Sequence, residues 1–77
     1  MCNIPAIDAV KTGERINKLR MAKKLSVRDL QGVFGFTTPQ AIYKWQRGEA
    51  LPSVDNLVVL ARVFEVSIEE ILVVSDA

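Results

Sequence analysis

The stretch that most constrains this chain is residues 36–48, which the sequence predicts to be a short helix with a defined start and end. Thr38 is a good N-cap because its hydroxyl can accept a hydrogen bond from a free backbone N–H, and Pro39 then takes the first helical position. Gly48 predicts the end of the helix, since glycine enters the left-handed conformation at little cost.

The two faces of this predicted helix differ in chemistry. Ala41, Ile42 and Trp45 share one apolar stripe, which we expect to be buried. The opposite stripe offers an amide, a phenol, an ammonium and a guanidinium within two turns, a set that suits base edges and phosphates. The alternative is an ordinary amphipathic helix with a solvated polar face. The polar stripe consists of Gln40, Tyr43, Lys44 and Arg47.

Length and composition indicate one small domain and exclude several kinds of site. The 77 residues contain no histidine and one cysteine, Cys2, which excludes disulfides, zinc sites of the usual spacing and Ser-His or Cys-His nucleophiles. No apolar run approaches the ~20 residues that span a bilayer, and the N-terminus lacks the layout of a secretory signal. We therefore expect a cytoplasmic protein that is not an enzyme, with no metal, cofactor, small-molecule substrate or membrane association.

The net charge of +1 conceals a strong polarity along the chain. Residues 1–48 carry nine Lys and Arg against three acidic residues, a balance of +6, whereas residues 49–77 carry one Arg against six acidic residues, a balance of −5. The basic half contains the predicted two-faced helix. This distribution favours attraction of that half to a polyanion.

A first helix is predicted to end near Lys23 and to begin after one of two rival N-caps, Asp8 or Thr12. Residues 1–7 contain a proline and show no helical periodicity. We therefore predict an irregular N-terminal arm over residues 1–7, followed by a single domain over residues 8–77.

A second helix is predicted to begin after the N-cap Ser26 and to run from Val27 to about Val33. A glycine-containing turn then leads into residues 36–48. Two short helices joined by a tight turn make a helix-turn-helix, whose second helix characteristically enters the major groove of DNA.

Two more helices are predicted after Gly48. Ser53 caps a fourth helix from Val54 to about Phe64, and Ser67 with Glu70 forms a capping box in front of a fifth, from about Ile68 to Val73. No alternating strand pattern, repeat or interdomain linker is present in the sequence. The predicted fold is therefore an all-α, five-helix bundle.

Five groups of residues follow one another along the chain: Thr12-Gly13-Glu14-Arg15-Ile16 with Leu19-Arg20; Leu25-Ser26-Val27-Arg28-Asp29-Leu30; Ile42-Tyr43-Lys44-Trp45-Gln46-Arg47-Gly48; Leu51-Pro52-Ser53 with Asn56-Leu57; and Val66-Ser67-Ile68 with Ile71-Leu72. In this order and spacing they resemble the helix-turn-helix domains of the Cro/cI type, the Xre group of bacterial transcriptional regulators. The resemblance implies a lambda-repressor-like fold that binds double-stranded operator DNA as a two-fold dimer, with the third helix in the major groove.

The resemblance also implies which residues contact DNA. The family's base contacts correspond to the early part of the third helix, here within about residues 38–46. Its contacts to the DNA backbone correspond to the start of the second helix and to the stretch after the third. The implied base contacts are Thr38, Gln40, Ala41 and Lys44, with Tyr43 able to reach a base or a phosphate. The implied backbone contacts are Ser26, Arg28, Arg47 and Gly48.

Three departures from the family pattern affect the site. Val27 stands where the family often has a polar phosphate contact, and Arg28 is the nearest replacement. The Phe-Gly-Phe tract before Thr37 lengthens the loop and leaves the register of the third helix open by one residue. Gln46 stands where many members have a glutamate that pairs with the arginine matching Arg20, so Gln46 can accept a hydrogen bond but cannot neutralise that charge.

The fourth helix and the C-terminal end have more apolar surface than one small core needs, and this excess predicts a homodimer. The interface residues we expect are Val59, Val63, Val73 and Val74. The function that combines these features is sequence-specific binding of duplex DNA by a small transcriptional regulator, a repressor by default. The alternative is a protein-interaction module or antitoxin-like partner on the same fold, with weak or no DNA binding.

Overall fold

The computed structural model describes residues 4–76, in which five helices lie between two short strands. The predicted five-helix bundle is confirmed. Cys2 and the first part of the predicted arm lie outside the described residues. None of the helices in residues 4–76 has both the length and the apolarity needed to cross a membrane. The elements are β1 (Pro5–Ile7), α1 (Ala9–Ala22), α2 (Val27–Phe34), α3 (Gln40–Arg47), α4 (Val54–Phe64), α5 (Ile68–Ile71) and β2 (Val74–Asp76).

Side-chain caps begin four of the five helices. In each, a side-chain oxygen accepts a hydrogen bond from the backbone N–H three residues further on, which satisfies one of the free donors at the helix start. Thr12, the rival cap of α1, is instead fully buried within that helix, where its hydroxyl accepts from the N–H of Val73 at 3.0 Å. The four caps are Asp8, Ser26, Ser53 and Ser67.

Helix α3 begins one residue later than predicted. Pro39 occupies the N-cap position with φ −84° and ψ 6°, and no side chain caps the helix. The prediction of Thr38 as the N-cap is therefore wrong, because its hydroxyl stands one residue too early in the chain. Gly48 ends α3 in the left-handed conformation with φ +74°, as predicted.

Two three-residue strands pair, one within the predicted irregular arm and the other just after the predicted end of the fifth helix. β1 and β2 are antiparallel, with Pro5 opposite Asp76 and Ile7 opposite Val74. The irregular conformation predicted for residues 5–7 is therefore wrong. Strands of three residues are too short to show an alternating pattern, so the sequence alone gave no sign of this ribbon.

The fifth helix ends at Ile71, two residues before the predicted end at Val73. The reason is that α1 provides other partners for the backbone of Val73. Its N–H donates to the Thr12 hydroxyl, and its carbonyl accepts from the N–H of Asp8 at 2.8 Å. These bonds draw the chain away from α5 and into β2.

The core joins all five helices, and it brings α1 and α3 into main-chain contact. Gly13, in the first half of α1, is buried, and a Cβ atom built on it would lie 2.0 Å from the carbonyl oxygen of Trp45. Only a residue without a side chain fits there. The buried apolar side chains are Ile16, Leu30, Ile42, Trp45, Leu57, Leu60, Phe64 and Ile71.

Candidate nucleic-acid interface

The inner face of α3 is fixed in the core by aromatic packing. Ile42 is fully buried and Trp45 is 4% exposed, which confirms the prediction that Trp45 is a core residue. The rings of Phe34 and Phe36 stack with centroids 4.9 Å apart, and each meets the Trp45 ring edge-on, at 5.5 and 6.1 Å. Such pairs add to the free energy gained by burial alone. The Phe-Gly-Phe tract is thus an anchor for α3.

The turn between α2 and α3 is closed by a reciprocal pair of hydrogen bonds. Gly35 adopts φ +69°, which lets the chain reverse after α2. The N–H of Phe36 then donates to the carbonyl of Gln31 at 3.1 Å, and the Gln31 side-chain amide donates to the carbonyl of Phe36 at 3.2 Å. These contacts set the register that the sequence left open, with the first helical residue of α3 at Gln40.

The outer face of α3 gathers most of the predicted base-contacting residues on one surface. Its side chains are exposed, and the Tyr43 side chain retains 41% of its accessible surface. Ala41, by contrast, is half-buried at the flank and packs against the core. The exposed surface is an open depression of about 590 Å³ lined by Thr38, Pro39, Gln40, Tyr43, Lys44 and Arg47.

The backbone contacts predicted at the end of α3, Arg47 and Gly48, already interact with other residues of the domain. The guanidinium of Arg47 forms an ion pair with the carboxylate of Glu49, an interaction that the sequence analysis missed. Both side chains are at least half exposed, so the pair is weak and exchangeable. The N–H of Gly48 donates to the carbonyl of Trp45 at 3.1 Å. Gly48 also approaches Val10 so closely that a Cβ would lie 2.7 Å from the Val10 Cα.

The N-terminus of α2 carries a carboxylate beside its predicted phosphate contacts. The backbone N–H of Ser26 donates to Asp29 at 2.8 Å, and the Ser26 hydroxyl accepts from the Asp29 N–H at 3.0 Å. The Ser26 backbone N–H and then its hydroxyl lower the pKa of Asp29 below its ordinary value of 3.8, so this side chain is charged at neutral pH. Val27 packs against the core and Arg28 is exposed. Arg28 is therefore the cation available at this end.

Arg20 has found polar partners, but Gln46 is not one of them. One guanidinium nitrogen of Arg20 donates to the carbonyl of Leu25, and another donates to Oδ1 of Asn17, each at 2.6 Å. The Gln46 amide also donates to Oδ1 of Asn17, at 3.2 Å. The suggested acceptor role of Gln46 is thus corrected. Asn17 was not predicted as a partner of Arg20, although its position three residues before Arg20 places both on one side of α1.

The Nε of Arg20 is buried without a hydrogen-bond partner in the described part of the chain. In the cluster of Asn17, Arg20 and Gln46, the Arg20 guanidinium therefore donates to neutral acceptors where the family pattern has a carboxylate. Within residues 4–76 this guanidinium forms no ion pair.

The pair α2 and α3, joined by the turn over residues 35–39 and standing against α1, α4 and α5, defines a helix-turn-helix domain. The sequence profile of the helix-turn-helix family matches residues 16–71. The chain belongs to the helix-turn-helix family of the Cro/C1 type. This confirms the resemblance drawn from the sequence.

Solved structures agree with this assignment. The chain is similar to the restriction-modification controller protein C.AhdI from Aeromonas hydrophila, with 31% identity and a TM-score of 0.73, over 83% of this chain and 96% of that one. It has the same fold as the DNA-binding domain of BldD, with 22% identity and a TM-score of 0.72 over 86% of this chain and 94% of that one. The comparison with the S. venezulae BldD DNA-binding domain likewise gives 22% identity and a TM-score of 0.72, over 86% of this chain and 97% of that one. No curated protein matches the chain.

Proposed function

We propose that this protein is a transcriptional regulator that binds duplex DNA sequence-specifically, with α3 in the major groove. The observation that carries the proposal is the division of α3 into a core-anchored face and an exposed depression lined mainly by residues with hydrogen-bonding side chains, on a helix-turn-helix domain. An α-helix fits the major groove, where each base pair presents a distinct pattern of donors and acceptors. C.AhdI is a restriction-modification controller protein, and the BldD domains are DNA-binding domains.

Gln40 is the base-contacting residue that we place first. It is the first residue of α3 and is exposed at the rim of the depression. A glutamine amide can bind adenine through N6 and N7 together, a contact that discriminates by about 1–3 kcal/mol against a wrong base. One turn further on, Lys44 would contact guanine acceptors. Tyr43 lies between them and would reach a base or a phosphate. Thr38 and Ala41 flank these three residues.

Arg28 and Arg47 are the proposed contacts to the DNA backbone, together with the Ser26 hydroxyl. Arg28 would offset the repulsion that the Asp29 carboxylate exerts on a phosphate at the start of α2. Arg47 would leave its ion pair with Glu49 and bind a phosphate instead, because an exposed ion pair costs little free energy to break. The N–H of Gly48 already donates a hydrogen bond within α3. Gly48 would therefore contribute to DNA binding by letting the protein backbone come close to the DNA backbone.

The proposed regulator acts as a homodimer on a two-fold operator and represses by occluding it, in the cytoplasm. A two-fold protein matches a palindromic site because each copy then contacts one half-site. Of the valines predicted for the interface, Val74 is 53% exposed, while Val59, Val63 and Val73 are half-buried.

Selection from random duplex DNA tests the proposal directly. The expected result is an enriched site with two-fold symmetry, and Gln40→Ala should relax the preference at one base position in each half. Lys18→Ala, on the exposed face of α1, is a matched control that should leave the enriched site unchanged. Enrichment of no duplex over background would refute DNA recognition. A protein partner that co-purifies in that case would favour the interaction-module alternative.

Salt dependence distinguishes phosphate contacts from base contacts. Each phosphate neutralised contributes about 0.9 to the slope of log affinity against log salt. Arg28→Ala and Arg47→Ala should each reduce the slope by about one and weaken binding uniformly across sequences. Gln40→Ala should change the sequence preference and keep the slope. An unaltered slope for both arginine variants would contradict their assigned role.

A further inference from the structure

The outer face of α4 carries four residues in the order acidic, apolar, apolar, basic. When a second copy of this stripe runs in the opposite direction, each acidic residue lies opposite a basic one. Asp55, Val58, Val59 and Arg62 are spaced i, i+3, i+4 and i+7, so they share one stripe of the helix. This stripe lies opposite the buried side of α4, which is formed by Leu57, Leu60 and Phe64.

Three of the four residues of the stripe are exposed to solvent. Val58 is 44% exposed, Val59 is half-buried, and both charged residues are exposed. Within residues 4–76, Asp55 and Arg62 form no ion pair, since the pairs found there involve other residues. Near the N-terminal end of the helix, Val54, its first residue, is 72% exposed, and Leu51, which precedes it, is 42% exposed. A small domain seldom presents such a surface to water without a use for it.

The symmetry of the stripe indicates that a second copy of α4 would fit against it. Its midpoint lies between Val58 and Val59, with Asp55 three residues before the first valine and Arg62 three residues after the second. Two antiparallel copies of α4 related by a two-fold axis through this midpoint bring the valines together. The same arrangement sets Asp55 of each copy beside Arg62 of the other. A parallel arrangement would instead place like charges together, which is unfavourable.

We propose that the outer face of α4 is the docking surface for a second copy of this chain, with the two α4 helices antiparallel. The proposal rests on the proposed function, because a two-fold operator calls for a two-fold protein. It names a surface that differs from the sequence prediction, with which it shares only Val59. The interface would have an apolar centre and two exposed ion pairs at its rim, an arrangement usual for protein interfaces.

Reciprocal charge reversal tests the pairing of Asp55 with Arg62. The measurement is sedimentation equilibrium without DNA, from micromolar to hundreds of micromolar protein. Asp55→Arg and Arg62→Asp each turn two attractive pairs into two repulsive ones, so each should weaken self-association by about ten- to a hundredfold. The double variant restores opposite charges and should return to within about threefold of the natural chain.

A matched control is Glu69→Arg, which makes the same change of charge at an exposed position on α5 and should leave self-association unchanged. Three results would overturn the proposal: a natural chain that stays monomeric, single reversals without effect, or a double variant that does not recover. Because these measurements contain no DNA, a failure of DNA recognition would leave them valid. Conversely, a dimer formed elsewhere would refute this surface and leave the proposed function standing.

Discussion

Replacing Gly13 with alanine should destabilise the domain, although alanine is the better helix former. In a helix open to solvent, the change from glycine to alanine stabilises by roughly 0.5–1 kcal/mol. At Gly13 the added Cβ would lie 2.0 Å from the Trp45 carbonyl oxygen and 2.9 Å from that of Gln46. Non-bonded heavy atoms sit about 3.5–4.0 Å apart at the best separation, so α1 and α3 would have to part by more than about 1 Å.

The expected cost follows from that displacement. Overpacking a tight site usually costs about 1–3 kcal/mol, and here the obstacle is backbone, which yields less than a side chain. The cost is therefore expected at the upper end of that range, about 3 kcal/mol, and the gain in helix propensity reduces the net loss to about 2–2.5 kcal/mol. For a domain of this size each kcal/mol shifts the melting temperature by about 4–8 °C, so Tm should fall by about 8–20 °C.

Gly32 provides a matched control for this prediction. It also lies within a helix, but a Cβ built on it has no atom within 4 Å. Gly32→Ala should therefore raise Tm by about 2–8 °C. Thermal unfolding followed by circular dichroism compares both variants with the natural chain. A Gly13→Ala variant as stable as the natural chain would refute the argument that α1 and α3 are in main-chain contact.

Three further changes test the polar contacts. Asn17→Ala should lower the free energy of unfolding by about 1–3 kcal/mol in chemical denaturation, because Arg20 and Gln46 both lose an acceptor; an unchanged midpoint would contradict this. Gln46→Glu should raise that free energy, since it brings a counter-charge towards Arg20, and a decrease would show that the carboxylate does not reach it. The folded state lowers the pKa of Asp29, so its stabilisation is complete above the unfolded pKa and is lost as pH falls through the folded one. Asp29→Asn should therefore lower stability at neutral pH and flatten its decline below about pH 4, and identical pH curves for the two proteins would contradict the Ser26 capping interaction.

The sequence was sufficient for features governed by residues close together in the chain. Ser26 with Asp29, and Ser53 and Ser67 before their helices, act through hydrogen bonds that span three residues, so their chemistry is visible locally. The end of α3 at Gly48 was likewise predictable from the local sequence. The faces of α3 were also predictable, because helical periodicity alone separates Trp45 from the polar stripe.

The features that the sequence did not reveal depend on contacts between distant segments. The short strands exist because residues near the two ends of the chain meet, and three residues carry no pattern of their own. Nothing in the sequence around Gly13 indicates its proximity to Trp45. The partners of Arg20 likewise depend on how α3 crosses α1. At the candidate interface, the exposed stripe was predictable, whereas the pairing of Arg47 with Glu49 was not.

The main-chain contact between Gly13 and Trp45 makes the proposed DNA-contacting surface of α3 an exchangeable component. Because α3 is anchored through its backbone and its buried side, its position does not depend on the side chains that face outward. Gln40, Tyr43 and Lys44 could then be replaced together while the rest of the domain stays as it is. Libraries at these three positions should yield families of orthogonal regulators, each with its own operator and all with nearly the same stability.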